Sequence, residues 1–380
     1  MAAKKENVKA LILSGGGVKG LFQYGAIDHI YNHVLAEGEK FKIVCGVSAG
    51  AMNGSIIIQD KFKLGKDIWM EQIEKGVPAF DMRYSKFTLL LYAILPGIFT
   101  LKKLQKAHSI YVNKKLREIL NETSKDLVRI IEENDDYFRM GIVEYQTAKY
   151  LSIDPTSPGY RDKVVDVIIA STAIPIAFPS VRLNNFQYFD GGVINTIPFA
   201  DIFEITRKKE FQDKYNLTSI YSVLCAPLST NETSQDYNGL IDIAWRTLDI
   251  LLKEIYVNDK QLFNRTNAYV MFREEIEKIV PDREKLEKIY EKIKTETGVN
   301  VTKYITAQDK LIAPEPEEWK NFLESDLYPE GIKMHGPINE DSVKMFWEQW
   351  PSTLSKDKDQ LMLSYHFGMY MARRVLGSSR

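Results

Sequence analysis

Two hydrophobic periodicities alternate along the N-terminal part of the chain. Residues 8–13 form a short apolar run, and residues 21–35 then place apolar side chains every three to four positions, at Leu21, Tyr24, Ile27, Ile30, Tyr31 and Val34. Residues 41–47 are again short and rich in Phe, Ile and Val, after which residues 49–58 resume helical spacing through Ala51, Met52 and Ile56. Short continuous runs predict buried strands, whereas three-to-four spacing predicts helices. The unit is strand-helix-strand-helix, which predicts an α/β fold with a central, mainly parallel sheet covered by helices.

The same patterns continue downstream. Residues 61–75 predict a polar helix, and 110–131 predict one amphipathic helix. Residues 138–145 and 149–153 predict a strand pair, and 162–173 a helix. Residues 179–189 predict a hairpin closed by Asn184-Asn185, followed by a short helix at 199–204 and a buried strand at 218–225. Beyond about residue 235 the pattern is helical and highly charged, notably at 273–297. No Gly/Ser or Pro-rich linker and no internal repeat divides the chain. The expectation is one catalytic domain at residues 1–235 with a helical extension at 236–380 packed on it. The most apolar window, 87–101, is flanked by Lys86, Lys102 and Lys103 and interrupted by Pro96-Gly97. It falls short of the roughly 20 residues of a spanning helix. Two readings of it remain open: a buried core segment, or an interfacial flap that binds acyl chains.

Composition narrows the function classes. In 380 residues, 50 Lys plus Arg nearly balance 51 Asp plus Glu, and a net charge of −1 provides no global field for nucleic acid. No nucleic-acid partner is expected. Cys45 and Cys225 both lie in apolar runs, so neither a disulfide framework nor a metal site is expected, and a reducing compartment fits. The N-terminus runs straight into a strand without an apolar signal core. The expectation is a cytoplasmic protein able to bind a membrane surface peripherally. The sequence is silent on oligomeric state.

Chemistry concentrates where the periodicities meet. Gly46-Val47-Ser48-Ala49-Gly50 joins a strand to a helix within two residues. Small residues at Gly46, Ala49 and Gly50 permit a strained turn that raises the Ser48 hydroxyl above the sheet, as a nucleophile requires. A serine that merely caps the helix is the alternative. Upstream, Gly15-Gly16-Gly17-Val18-Lys19-Gly20 opens the first helix, so its backbone N–H groups should hold an anion. Gly15, Gly17 and Gly20 match the dinucleotide fingerprint, yet the second strand ends in Gly46-Val47-Ser48 instead of the acidic residue a ribose needs. No Gly-Lys-Ser/Thr follows, which excludes a P-loop. The remaining anion is the oxyanion of a tetrahedral intermediate beside Ser48. Asp190-Gly191-Gly192, after the hairpin, is in isolation an ordinary turn. His29 and His33 share a helix face without the Glu of a zinc motif, and His335 and His366 follow Ser48 as a triad histidine would. No acidic cluster has the form of a calcium loop.

The three motifs in this order resemble the patatin-like phospholipases. The stretch from Ala170 through Ser171-Thr172-Ala173-Ile174-Pro175 to Pro179 is similar to the family's segment upstream of its aspartate. The resemblance spans roughly residues 7–200, and Ser14 stands where plant members usually carry Asp. It implies a three-layer fold and a Ser-Asp dyad, with Ser48 as nucleophile and Asp190 as general base. It further implies an oxyanion loop from Gly15, Gly16, Gly17, Lys19 and Gly20, and turns formed by Gly46, Gly50, Gly191 and Gly192. The implied activity is a cofactor-free and metal-free phospholipase A-type esterase acting on phospholipid or another acyl ester at a membrane surface. Two other readings stand beside it. One is a nucleotide-binding or sensor module built on the glycine loop, and the other is an inactive hydrolase fold used for protein interaction.

Overall fold

The computed structural model describes residues 5–77, 109, 111–227, 246–247, 250–251, 253–259, 261, 279–280, 282–297, 308–332, 346, 350 and 355–377. The apolar window 87–101 and His335 lie outside the described residues. Strand β1 (Glu6–Leu13) leads through the glycine loop into α1 (Gly20–His33), and β2 (Ile43–Val47) turns directly into α2 (Ala49–Ile57). Helices α3 (Phe62–Glu74), α4 (Lys114–Thr123) and α5 (Leu127–Asn134) precede β3 (Tyr137–Glu144) and β4 (Lys149–Ile153). Then come α6 (Val164–Ser171), the hairpin β5 (Val181–Leu183) and β6 (Phe186–Asp190), α7 (Phe199–Thr206), α8 (Lys209–Lys214) and β7 (Tyr215–Val223). The C-terminal part supplies α9 (Arg283–Thr297), β8 (Gln308–Ile312), α10 (Trp319–Leu323) and α11 (Lys358–Leu376).

The strands form one sheet in the order β5-β6-β3-β2-β1-β7-β8, with β4 on β3. The β3-β2-β1-β7-β8 pairings are parallel, and those of β3 with β4, β3 with β6 and β5 with β6 are antiparallel. Strand alternation splits the core into two layers. Leu11, Leu13 and Val44 pack with α1 to α6, α10 and α11 on one face. Ala10, Ile12, Ile43 and Cys45 pack with α7, Phe211 and Tyr256 on the other. Helices therefore cover both faces. In the hairpin, Asn184 and Asn185 take φ values of 47° and 71°, the left-handed pair that a two-residue turn of this twist requires.

Three features depart from the periodicity. The predicted helix at 110–131 is two helices, α4 and α5, because the carbonyl of Thr123 accepts from Gln59 Nε2 (3.1 Å) and Lys61 Nζ (3.4 Å), so a partner across the fold finishes α4. The C-terminal third is not purely helical: β8 extends the sheet beside β7. Finally, α1 is buried continuously from Gly20 to Ile30, not along one stripe.

The cause of that burial is α11. A side chain at Gly25 would place its Cβ 1.8 Å from the Tyr365 carbonyl oxygen, and one at Gly368 would lie 2.1 Å from that of Phe22. The two backbones touch. Phe367 of α11 packs among Phe22, Trp319 and Phe322, with ring centroids 5.0–6.1 Å apart. Gly368→Val is expected to push α11 off α1 and destabilise the protein by about 3 kcal/mol, since overpacking here meets backbone, not a flexible side chain. The urea midpoint of the variant measures it.

Candidate active site

Ser48 occupies the corner between β2 and α2 with φ 56° and ψ −123°. A non-glycine residue there carries strain on the order of 1–3 kcal/mol, held only if the surroundings enforce it. They do. The Ser48 N–H donates to Ser171 Oγ (2.9 Å), and the Ser171 hydroxyl donates to the Gly141 carbonyl (2.7 Å). Below the corner, a Cβ on Gly46 would sit 2.2 Å from the Gly50 carbonyl oxygen, and one on Gly50 2.1 Å from that of Leu13. Any side chain at either position would open the turn. Ser48 does not cap α2, as its hydroxyl makes no bond to a helix N–H.

The register of β3 brings Asp190 to this corner. Gly141 pairs with Val47, the residue before Ser48, and the next residue, Ile142, pairs with Asp190. Strands β2 and β6 thus meet end to end along one edge of β3. The close approach requires glycine, since a Cβ on Gly191 would lie 2.5 Å from the Gly141 carbonyl oxygen. The Ser48 hydroxyl lies near enough to the Asp190 carboxyl to favour its charged form. Gly192 N–H donates to Asp190 Oδ1 (2.8 Å), and the Asp190 N–H donates to the Ala173 carbonyl (3.0 Å).

Burial dominates the electrostatics of Asp190. Its side chain is out of water, which disfavours the charged form, while the nearby Ser48 hydroxyl and the Gly192 N–H favour it; the balance lifts the carboxyl to about 7. A carboxyl so placed can exchange a proton near neutrality. Among the described residues, no histidine acts on it. Instead His29 Nε2 lies 3.0 Å from the Gly377 carbonyl oxygen, and His366 sits half-buried in α11.

The glycine loop lies directly over Ser48, with a Cβ on Gly15 reaching 3.3 Å from Ser48 Cβ. Gly16 passes the end of β7, where a Cβ would fall 2.2 Å from Cys225 Cβ. Gly17 takes φ 59°. The Gly15 N–H is committed to the Thr196 carbonyl (3.1 Å), that of Lys19 to the Gly16 carbonyl (3.2 Å), and that of Gly20 to the carbonyls of Gly17 and Val18. The N–H groups of Gly16 and Gly17 have no such acceptor among the described residues.

Several side chains that hold this arrangement escaped the sequence reading. Gln23 donates to the carbonyls of Ser14 (2.8 Å) and Val223 (3.2 Å), and Asn53 donates to the Gly20 carbonyl (3.0 Å) and to Gln23 Oε1 (3.0 Å). Trp69 Nε1 donates to Asn53 Oδ1 (2.9 Å). Both ends of the loop are thereby tied down from within the core. The available signal was polarity in the wrong place: Gln23 and Asn53 interrupt apolar helix faces, and a buried amide needs partners. Met52, Leu116, Ile174 and Phe178 line an apolar cleft that opens beside Ser48, Ala49 and Gly17.

The chain is similar to known proteins. The family model for patatin-like phospholipases matches residues 11–203. An uncharacterised protein of Acanthamoeba polyphaga mimivirus is 24% identical over 279 residues, covering 60% of this chain and 72% of that protein. The uncharacterised protein YjjU of Escherichia coli is 25% identical over 197 residues, covering 50% of this chain and 47% of that one. A cGAMP-activated phospholipase of Pseudomonas aeruginosa is 27% identical over 198 residues, covering 50% of this chain and 53% of that one. The chain thus spans about half the length of the latter two relatives. Among the described residues, no helix is long and apolar enough to cross a membrane.

Proposed function

The chain belongs to the patatin-like phospholipase family, and we propose that it is a serine acyl hydrolase of the phospholipase A type, cleaving carboxylic esters of phospholipids through an acyl-enzyme on Ser48. The observation that carries this reading is the juxtaposition of Ser48, on its strained corner, with the buried Asp190 carboxyl, brought together by adjacent positions on β3. In the first half-reaction Ser48 Oγ attacks the ester carbonyl and its proton passes to Asp190. The carbonyl oxygen, now an oxyanion, accepts from the N–H groups of Gly16 and Gly17. Collapse of the intermediate expels the lysophospholipid alkoxide, which takes the proton from Asp190 and leaves the acyl group on Ser48. In the second half, water gives its proton to Asp190 and attacks the acyl carbon. Ser48 then leaves with that proton, and free fatty acid departs.

Each residue has a physical task. A serine hydroxyl is a poor acid, and an Asp at its ordinary pKa of about 3.9 is a poor base. Burial of Asp190 narrows that gap, and the N-terminus of α2 favours the developing alkoxide. Preformed N–H donors typically supply about 3–4 kcal/mol each when aimed at the oxyanion. The apolar lining of Met52, Leu116, Ile174 and Phe178 suits a fatty acyl chain lying beside the nucleophile.

Incubating the purified protein with vesicles of mixed phospholipid is expected to release fatty acid and lysophospholipid in equal amounts, followed by lipid mass spectrometry. Release of neither product by folded protein would overturn the reading.

A further inference from the structure

We propose that Asp259, which lies beyond the family-matched residues, is a positioning residue that clamps the segment joining the glycine loop to the Asp190 turn. This inference rests on the Ser48-Asp190 reading above. Residues 253–259 are helical. From this helix Asp259 Oδ2 accepts two consecutive backbone N–H groups, those of Thr196 (2.6 Å) and Ile197 (3.1 Å).

Thr196 is the junction of the site. Its carbonyl accepts the Gly15 N–H (3.1 Å), while its hydroxyl donates to the Gly192 carbonyl (3.2 Å), and Gly192 N–H in turn holds Asp190 Oδ1 (2.8 Å). One residue therefore links the loop that faces the oxyanion with the turn that carries the base. The clamp on Thr196 sets both. Three residues earlier in the same helix, buried Tyr256 makes a second tie: its hydroxyl accepts the Ala226 N–H (3.3 Å), next to Cys225, whose own N–H is held by the Ser14 hydroxyl (2.9 Å). Tyr256 and Asp259 together lay one helix of the C-terminal third across the back of the active site.

The chemistry at Asp259 fits a clamp. Among the described residues no cation acts on the carboxylate; burial raises its pKa and the two N–H groups lower it again, leaving it at about 6. Its hydrogen-bond partners are backbone donors. Without it, two N–H groups on a partly buried turn lose their acceptor. The turn must then shift to find water, carrying Gly15 and Gly192 with it. A displacement on the order of 1 Å at reacting groups is enough to cost about 100-fold in rate.

The test measures hydrolysis of a p-nitrophenyl acyl ester by Asp259→Ala and Asp259→Asn, each assayed well below its own thermal unfolding midpoint. An amide at position 259 retains an oxygen able to accept both N–H groups. Asp259→Ala is expected to lower kcat by about 10- to 100-fold with KM little changed, to slow fluorophosphonate labelling of Ser48 in parallel, and to be largely rescued by Asn. If Asp259→Ala does not fold, Asp259→Glu, which moves the oxygens by one methylene, is measured against the same criteria. Wild-type kcat in the folded variant, a change confined to KM, or a loss in Asp259→Asn equal to that in Asp259→Ala would overturn the clamp. Ser48→Ala in the same assay separates the two levels. If it is inactive while Asp259→Ala is unimpaired, the clamp alone fails. If it remains active, the dyad reading fails and the clamp falls with it.

Discussion

Ser48→Ala is expected to lower ester hydrolysis by about 10⁴-fold or more, because removing a nucleophile from a unit that acts together leaves only binding and oxyanion donors. The protein should remain folded. Alanine tolerates the strained corner no better and no worse than serine, and the bonds that hold the corner run through the Ser48 backbone N–H and the Ser171 hydroxyl, which the substitution leaves intact. What changes is Asp190. It loses the hydroxyl that favours its charged form, so its pKa should rise further above the present value of about 7. Ser48→Gly makes a useful contrast. It is equally inactive, but glycine adopts positive φ without penalty, so it should be more stable than Ser48→Ala by on the order of 1 kcal/mol. Rate measurements on the p-nitrophenyl ester together with thermal melts of both variants check the pair. Activity in Ser48→Ala above one-hundredth of wild type would be incompatible with a Ser48 acyl-enzyme.

The second large effect is at Asp190. Asp190→Asn keeps the shape of the side chain and an oxygen to accept from Gly192 N–H, but it cannot take the serine proton, so a loss of about 10³- to 10⁴-fold is expected. In the wild type, kcat/KM should rise about tenfold per pH unit on the acid side and level off above about pH 7, where Asp190 ionises.

Stability should move the opposite way. The folded-state pKa of about 7 lies above the value of about 3.9 expected in the unfolded chain. The folded protein therefore binds the extra proton between those values, and the favourable contribution of the neutral carboxyl is complete below about pH 4 and lost as pH rises through about 7. Asparagine has no such slope. Relative to wild type, Asp190→Asn should gain stability steadily from about pH 4 to pH 7 and then hold constant, a difference on the order of a few kcal/mol. Melts at several pH values read it directly, and a wild type equally stable across that interval would contradict a buried, proton-hungry base. An active site that destabilises its own fold is the ordinary cost of holding a carboxylate away from water.

Much of this protein is written in local pattern. The strand-to-helix corner at Ser48 was legible because Gly46, Ala49 and Gly50 are the small residues such a turn needs, and each close approach is seen in the fold. The Asn184-Asn185 turn was legible for the same reason, since few residues enter the left-handed region in sequence. Other features resisted. Gly25 and Gly368 look like weak points of two helices until α1 and α11 touch through them. The break between α4 and α5 falls in the polar stretch 121–126, where Gln59 and Lys61 meet the Thr123 carbonyl from across the fold. Strand β8 follows a long charged stretch whose helical character hid a return to the sheet.

The sequence by itself determined the alternation of strands and helices, the glycine loop that opens α1 and the strained serine corner, because each depends on steric and periodic constraints acting over a few neighbouring residues. Only the tertiary structure decided that Asp190 meets Ser48, through adjacent positions 141 and 142 on β3. It alone brought Asp259 behind the glycine loop. Strand register and helix docking are set by the summed packing of residues distant in the chain, and no short window of sequence contains that sum.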